Sequence, residues 1–158
     1  MGTLQDKAKR LPRVLIADDN ETIRRALRGM FTSSGHEWSV CGEAANGEEA
    51  VQLAANLKPD IVLLDFQMPV VNGLDAAREI GKNHPSLPVA MYTLHQNTMF
   101  EKQAQAYGVR KVISKTDVFS ALIPSLAEML KETDKISTEL MPKVKQNRSS
   151  LRSDGKQD

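Results

Sequence analysis

Between Ile61 and Gly73 the chain reads IVLLDFQMPVVNG, an unbroken apolar run that ends in Asp65 and gives way at once to a Pro/Asn/Gly loop. A run of Ile, Val and Leu is what a strand buried on both faces looks like, as in the middle of a parallel sheet covered by helices. Asp65 then stands where that strand emerges. A carboxylate there carries a desolvation penalty unless a cation or hydrogen-bond donors meet it. It is not placed to cap a helix, because Met68-Pro69-Val70-Val71-Asn72-Gly73 intervene before the next helical pattern. The rest of the chain must therefore supply what meets Asp65.

A chain of 158 residues has room for one ordinary domain with a sizeable core and a tail. The net charge of +1 gives no electrostatic case for nucleic acid or an anionic membrane as the main partner. A single cysteine, Cys41, excludes an intramolecular disulfide, fits a reducing compartment, and reads as a small buried hydrophobe in a strand-like segment. No stretch approaches membrane-spanning length, and residues 1–12 are a polar lead-in without a signal-peptide core, so a cytoplasmic protein is expected.

In chain order, Val14–Ala17 is a short strand ending in Asp18-Asp19-Asn20, and Ile23, Ala26, Leu27, Met30 and Phe31 recur on one helical face that Gly35 ends. Trp38–Gly42 reads as a second strand, followed by the Asn46-Gly47 turn and a helix closed by Pro59. After the central strand, Leu74, Ala77 and Ile80 mark a third helix. Pro88–Tyr92 is a fourth strand with Thr93 at its exit. Thr98 is the expected cap of a fourth helix that stops at Gly108, and Val109–Ser114 is a fifth strand with Lys115 at its exit. The last helix carries Val118, Leu122, Leu126 and Met129, with Pro124 predicting either a kink or a start at that point. Residues 131–158 read as a polar tail, in which Ile136 and Leu140 extend the helix by a turn or two before Pro142.

Alternating strands and helices predict an α/β domain with a covered parallel sheet, in which ligands sit at the carboxyl ends of the strands near the topological switch point. Asp18 and Asp19, Asp65, Thr93 and Lys115 all stand at such ends, so residues far apart in sequence are expected in one crevice. At ~4 Å, two carboxylates repel by on the order of 4 kcal/mol even at an effective dielectric of about 20, so three of them require a cation. Hard oxygen ligands with room for water suit Mg²⁺ or Mn²⁺. Lys115 can sit over Asp65 or over an anion bound there, and Thr93 adds a hydroxyl donor. A carboxylate flanked by a divalent cation, a lysine and a hydroxyl is an arrangement for phosphoryl transfer, with Asp65 as the nucleophile that becomes an acyl phosphate. No GxxxxGK[ST] loop is present, so the phosphate is expected to arrive on an activated donor.

Together, ADD at Ala17–Asp19, LLDFQMPVVNG at Leu63–Gly73, Thr93 and the Lys115 that ends VISK resemble a response-regulator receiver domain of bacterial two-component systems, over residues 13–130. GEAANGEEA and TLH are similar to receivers of the nitrate-regulator type, which normally carry a C-terminal DNA-binding helix-turn-helix. The resemblance implies a doubly wound, flavodoxin-like five-stranded parallel sheet of strand order 2-1-3-4-5. It implies that Asp65 accepts a phosphoryl group from a histidine kinase or phosphotransfer protein, without enzymatic turnover beyond self-phosphorylation and slow autodephosphorylation. Asp18, Asp19, Asp65 and the Gln67 carbonyl would hold Mg²⁺, while Thr93 and Lys115 would bind phosphate oxygens.

Two positions depart from the family pattern. Val112 stands where receivers usually have an aromatic whose inward turn reports phosphorylation, and Leu94 is bulkier than the small residue common after the threonine. His95 follows in what reads as a solvated loop, and His36 and His84 read as surface residues. A haloacid-dehalogenase-type phosphatase is an alternative, but it needs a second acid two residues beyond its nucleophile, where Asn20 follows Asp18. A receiver-like binding module without phosphotransfer is another. Residues 131–158 offer too few apolar positions for a DNA-reading helix-turn-helix, so no direct nucleic-acid contact is expected. Met99, Phe100 and Tyr107 suggest an apolar face on the fourth helix and fifth strand for an effector protein or a second copy of the chain.

Overall fold

The computed structural model describes residues 10–33, 35, 38–94 and 96–153, with the side chains of 119 and 137–153 left aside. Five strands, β1 (Arg13–Ala17), β2 (Ser39–Ala44), β3 (Ile61–Asp65), β4 (Val89–Thr93) and β5 (Lys111–Ser114), alternate with five helices, α1 (Glu21–Ser33), α2 (Gly47–Leu57), α3 (Gly73–Asn83), α4 (Thr98–Ala106) and α5 (Val118–Ser153). All strand pairs are parallel and the order is β2-β1-β3-β4-β5. The expected fold is the one observed.

Strand alternation divides the core in two. Leu15, Ala17, Val62, Leu64 and Met91 face Ala54 of α2, Ile80 of α3 and Phe100 of α4. Val14, Ile16, Leu63, Tyr92 and Ile113 face Phe31 of α1 and Leu122 and Leu126 of α5. With β3 buried at every position, the apolar run at Ile61–Leu64 is explained: neither face of that strand reaches water. The chain leaves β1 toward β2 and then crosses to β3 on the other side, so the switch point lies between β1 and β3, at Asp18 and Asp65.

Asparagines cap four of the helices, Asn20 at α1 among them. Asn46, Asn72 and Asn97 each accept the backbone N–H of the residue three further on, so α4 is capped by Asn97 and not, as the sequence suggested, by Thr98. Asn is the stronger cap, and with Asn97 in the extended backbone conformation a cap adopts, Thr98 becomes the first helical residue. Gly108, at φ +91, stops α4 as expected.

Pro124 lies exposed within α5, which begins ahead of it at Val118. The helix also continues through Pro142 to Ser153, further than the turn or two expected beyond Leu130. Leu, Met, Lys, Gln and Arg around Pro142 are good helix formers and offset one lost backbone bond. No helix among the described residues is long and apolar enough to cross a membrane.

Candidate functional site

The loop that follows Asp65 is held by two close backbone approaches. A Cβ on Gly73 would stand 2.3 Å from the Asp65 carbonyl oxygen, and one on Gly47 would stand 2.0 Å from that of Val71. The Gly73 N–H donates to the Phe66 carbonyl at 2.9 Å, folding the loop back on the end of β3. Between them, Val70 has φ 69 at the centre of a tight turn in which the Val71 N–H donates to the Pro69 carbonyl at 2.8 Å. That is a strained conformation for a β-branched residue, and the side chain is 74% exposed, so no burial compensates it.

Asp65 is 3% exposed and Asp18 1%, whereas Asp19 opens to solvent. One carboxylate oxygen from each of the three lies within 4.8 Å of the others. Lys115 Nζ is 3.0 Å from Asp65 Oδ1 and 3.9 Å from Asp18 Oδ2. The backbone of Lys115 is pinned too, its N–H donating to the Thr93 carbonyl at 2.9 Å. Thr93, 2% exposed, ends β4 next to Asp65 on β3, and the Gln67 N–H approaches Asp65 Oδ1 at 3.4 Å. Asp18, Asp19, Asp65, Gln67, Thr93 and Lys115 therefore gather at one end of the sheet. Burial pushes the Asp65 carboxyl above the usual carboxylate range, the hydrogen bond from Lys115 pulls it back, and the charge of Asp18 raises it further.

Asp18 is tied from several sides. Its Oδ1 accepts the Asn20 N–H at 2.8 Å, its Oδ2 accepts the Tyr92 hydroxyl, and its backbone carbonyl accepts Arg24 Nη1 at 2.7 Å. Sequence reasoning passed over Tyr92 and Arg24 as site residues. A detectable signal existed for Tyr92, since a polar-tipped aromatic one residue before the end of a fully buried strand must find a partner for its hydroxyl. Burial, then the charge of Asp18, pushes the Tyr92 phenol far above its ordinary range. Asn20 accepts the N–H groups of Thr22 and Ile23 and so caps α1, which accounts for an amide where a phosphatase of the haloacid-dehalogenase type would need an acid.

The donor set fits a hard divalent cation, because a single ammonium cannot balance three carboxylates and the exposed Asp19 leaves a path for a hydrated ion. Cys41 stays outside this chemistry: it is half-buried on β2, its Sγ approaches the Val14 carbonyl at 3.4 Å, and burial raises its thiol. His84 is half-buried at the C-terminus of α3, while His36 and His95 lie outside the described residues.

Of the apolar face expected on α4, Phe100 is buried edge-to-face against Phe66 at 4.9 Å and Tyr107 packs under Arg78. The surplus on α4 is smaller than the sequence suggested and rests on Met99, 83% exposed, with Leu94 in the preceding loop 68% exposed. Sequence periodicity could not show that the loop after β3 brings Phe66 up against the inner face of α4.

An acidic cluster and a lysine at the switch point of a 2-1-3-4-5 sheet define a class of phosphate-handling α/β signalling module. The chain belongs to the response regulator receiver domain family of two-component systems, whose model matches residues 14–127. It is 37% identical over 119 residues to the chemotaxis protein CheY of Thermotoga maritima, covering 75% of this chain and 98% of that protein. It is also 37% identical over 126 residues to the transcriptional regulatory protein PdtaR of Mycobacterium tuberculosis, covering 79% of this chain and 60% of PdtaR. A chain in the crystal structure of the CheX-CheY-BeF3-Mg²⁺ complex from Borrelia burgdorferi matches with a TM-score of 0.65 at 29% identity, covering 69% of this chain and 81% of that one.

Proposed function

We propose that this receiver, spanning residues 13–130, accepts a phosphoryl group on Asp65 from the phosphohistidine of a sensor histidine kinase or phosphotransfer protein. The observation that carries the reading is Asp65 itself: a buried carboxylate at the switch point, 3.0 Å from Lys115 and within 4.8 Å of two further acids. An Asp65 carboxylate oxygen attacks phosphorus, the P–O bond forms as the P–N bond to the histidine breaks, and the imidazole leaves with the electron pair. Lys115 and the Thr93 hydroxyl bind oxygens of the transferred group, the lysine exchanging its bond to Asp65 for one to the phosphoryl group. Asp18, Asp19, Asp65 and the Gln67 carbonyl would hold Mg²⁺, with Mn²⁺ as a substitute. Held there, the ion would supply charge neutralisation to the acidic cluster and to the incoming phosphoryl oxygens.

The reading includes a cytoplasmic location and no direct contact with nucleic acid or membrane. Beyond Leu130 the described residues continue as one helix to Ser153. Phosphorylation shifts association with an effector protein or a second copy through the face formed by α4 and β5. A cleft of about 350 Å³ between these elements, lined by Gln96, Glu101, Gln105, Arg110, Lys111 and Val112, supports that choice. The test is transfer from a radiolabelled phosphohistidine protein: label is expected on the wild type in Mg²⁺ and absent from Asp65→Asn. Label retained by Asp65→Asn would contradict the assignment.

A further inference from the structure

The Tyr92 hydroxyl donates to Asp18 Oδ2, and the Tyr92 ring lies beneath the Lys115 ammonium, with 5.0 Å from Nζ to the ring centroid. Tyr92 is 1% exposed, and the ammonium is 3.9 Å from the same Asp18 oxygen that the phenol holds. We propose that Tyr92 is a positioning residue of the acidic cluster: it caps Asp18 Oδ2 and seats Lys115 toward Asp65, reserving Asp18 for a divalent cation.

Two positive groups compete for Asp18, a fixed internal lysine and a diffusible metal ion. A lysine fully bonded to both buried acids would cancel half of that pair's charge and occupy the Asp18 oxygen that a cation needs. The phenol donor is neutral, so it satisfies the inner lone pairs of Asp18 without cancelling its charge. With Oδ1 held by the Asn20 N–H and the backbone carbonyl by Arg24, the carboxylate is fixed in one orientation. The ring gives Lys115 a second favourable contact, and its bond to Asp65 Oδ1 at 3.0 Å is accordingly much shorter than its approach to Asp18. Removing the hydroxyl lets the ammonium close on Asp18 Oδ2, so that a metal ion must first displace it. Groups that orient metal ligands in this way characteristically change metal affinity by about 10- to 100-fold when removed.

The inference rests on the Mg²⁺ site of the proposed function and is tested separately from it. Mg²⁺ dissociation constants are measured by calorimetry for the wild-type chain, Tyr92→Phe, Lys115→Met and the double variant, with thermal melts as a check on folding. Phe keeps the ring and its packing, so a purely structural role for Tyr92 leaves the Mg²⁺ affinity within about twofold of wild type. The expected result is a roughly 10-fold weaker affinity in Tyr92→Phe that shrinks to less than about twofold in the Lys115→Met background. An unchanged affinity in Tyr92→Phe, or the same loss in both backgrounds, overturns the role given to Tyr92. Failure of the wild type to bind Mg²⁺ would instead overturn the metal site itself.

Discussion

The Lys115 ammonium lies 3.0 Å from Asp65 Oδ1, joining the exit of β5 to the exit of β3 across the intervening strand β4. The two residues are 50 positions apart in the chain, and the sheet order alone brings them together. Their pairing lowers a carboxyl that burial has raised, without returning it to the ordinary range.

That balance sets a pH dependence. With its folded-state pKa above the unfolded value, Asp65 binds its proton more tightly in the folded protein. Stability therefore falls as pH rises from the unfolded value, about 3.9, through the folded one. Asparagine removes this penalty. In chelator at pH 7, Asp65→Asn is expected to melt above the wild type, with the difference closing as the pH falls below about 4. A lower melting temperature for the variant at pH 7 would show that the ion pair to Lys115 outweighs the burial of Asp65.

Gly73 is expected to tolerate no side chain. Its Cβ would meet the Asp65 carbonyl oxygen at 2.3 Å, and that atom is backbone in a fully buried strand with little room to shift. Gly73→Ala should lose roughly 1–3 kcal/mol in urea unfolding and slow phosphorylation by displacing Asp65. Wild-type stability would show that the loop relaxes freely, so that its path does not position the phosphoacceptor.

The sequence made the sheet and the acidic crevice legible because both are written locally: an apolar run specifies a buried strand, and a polar residue at its end specifies the crevice. What it left hidden depends on contacts between distant elements. Tyr92 on β4 meets Asp18 across the intervening strand β3 and 74 residues of sequence, and the burial of Phe100 depends on Phe66 in the loop after β3. The choice of Asn97 over Thr98 as a cap turned on a single residue of register, which periodicity does not resolve. The continuation of α5 through Pro142 shows the propensities of its neighbours outweighing one proline.

Val112 replaces the ring expected at its position and is half-buried, with Gln96 Nε2 3.5 Å from its carbonyl. A β-branched side chain has little rotamer freedom and no large volume to relocate. Beryllofluoride is therefore expected to shift Thr93 and Leu94 without rotating a ring behind them. Val112→Tyr should change the beryllofluoride dependence of self-association in sedimentation. An unchanged dependence in that variant would remove this position from the switch, and sequence-specific DNA binding by the wild-type chain would contradict output by protein association.

Phosphorylation by a small-molecule donor tests the central claim without requiring knowledge of the cognate kinase. Intact-mass measurement after incubation with phosphoramidate and Mg²⁺ should show one added phosphoryl group, labile to hydroxylamine, on the wild type and none on Asp65→Asn. The same adduct on Asp65→Asn, or a wild-type chain that stays unlabelled in Mg²⁺, would contradict the assignment of Asp65 as the phosphoacceptor.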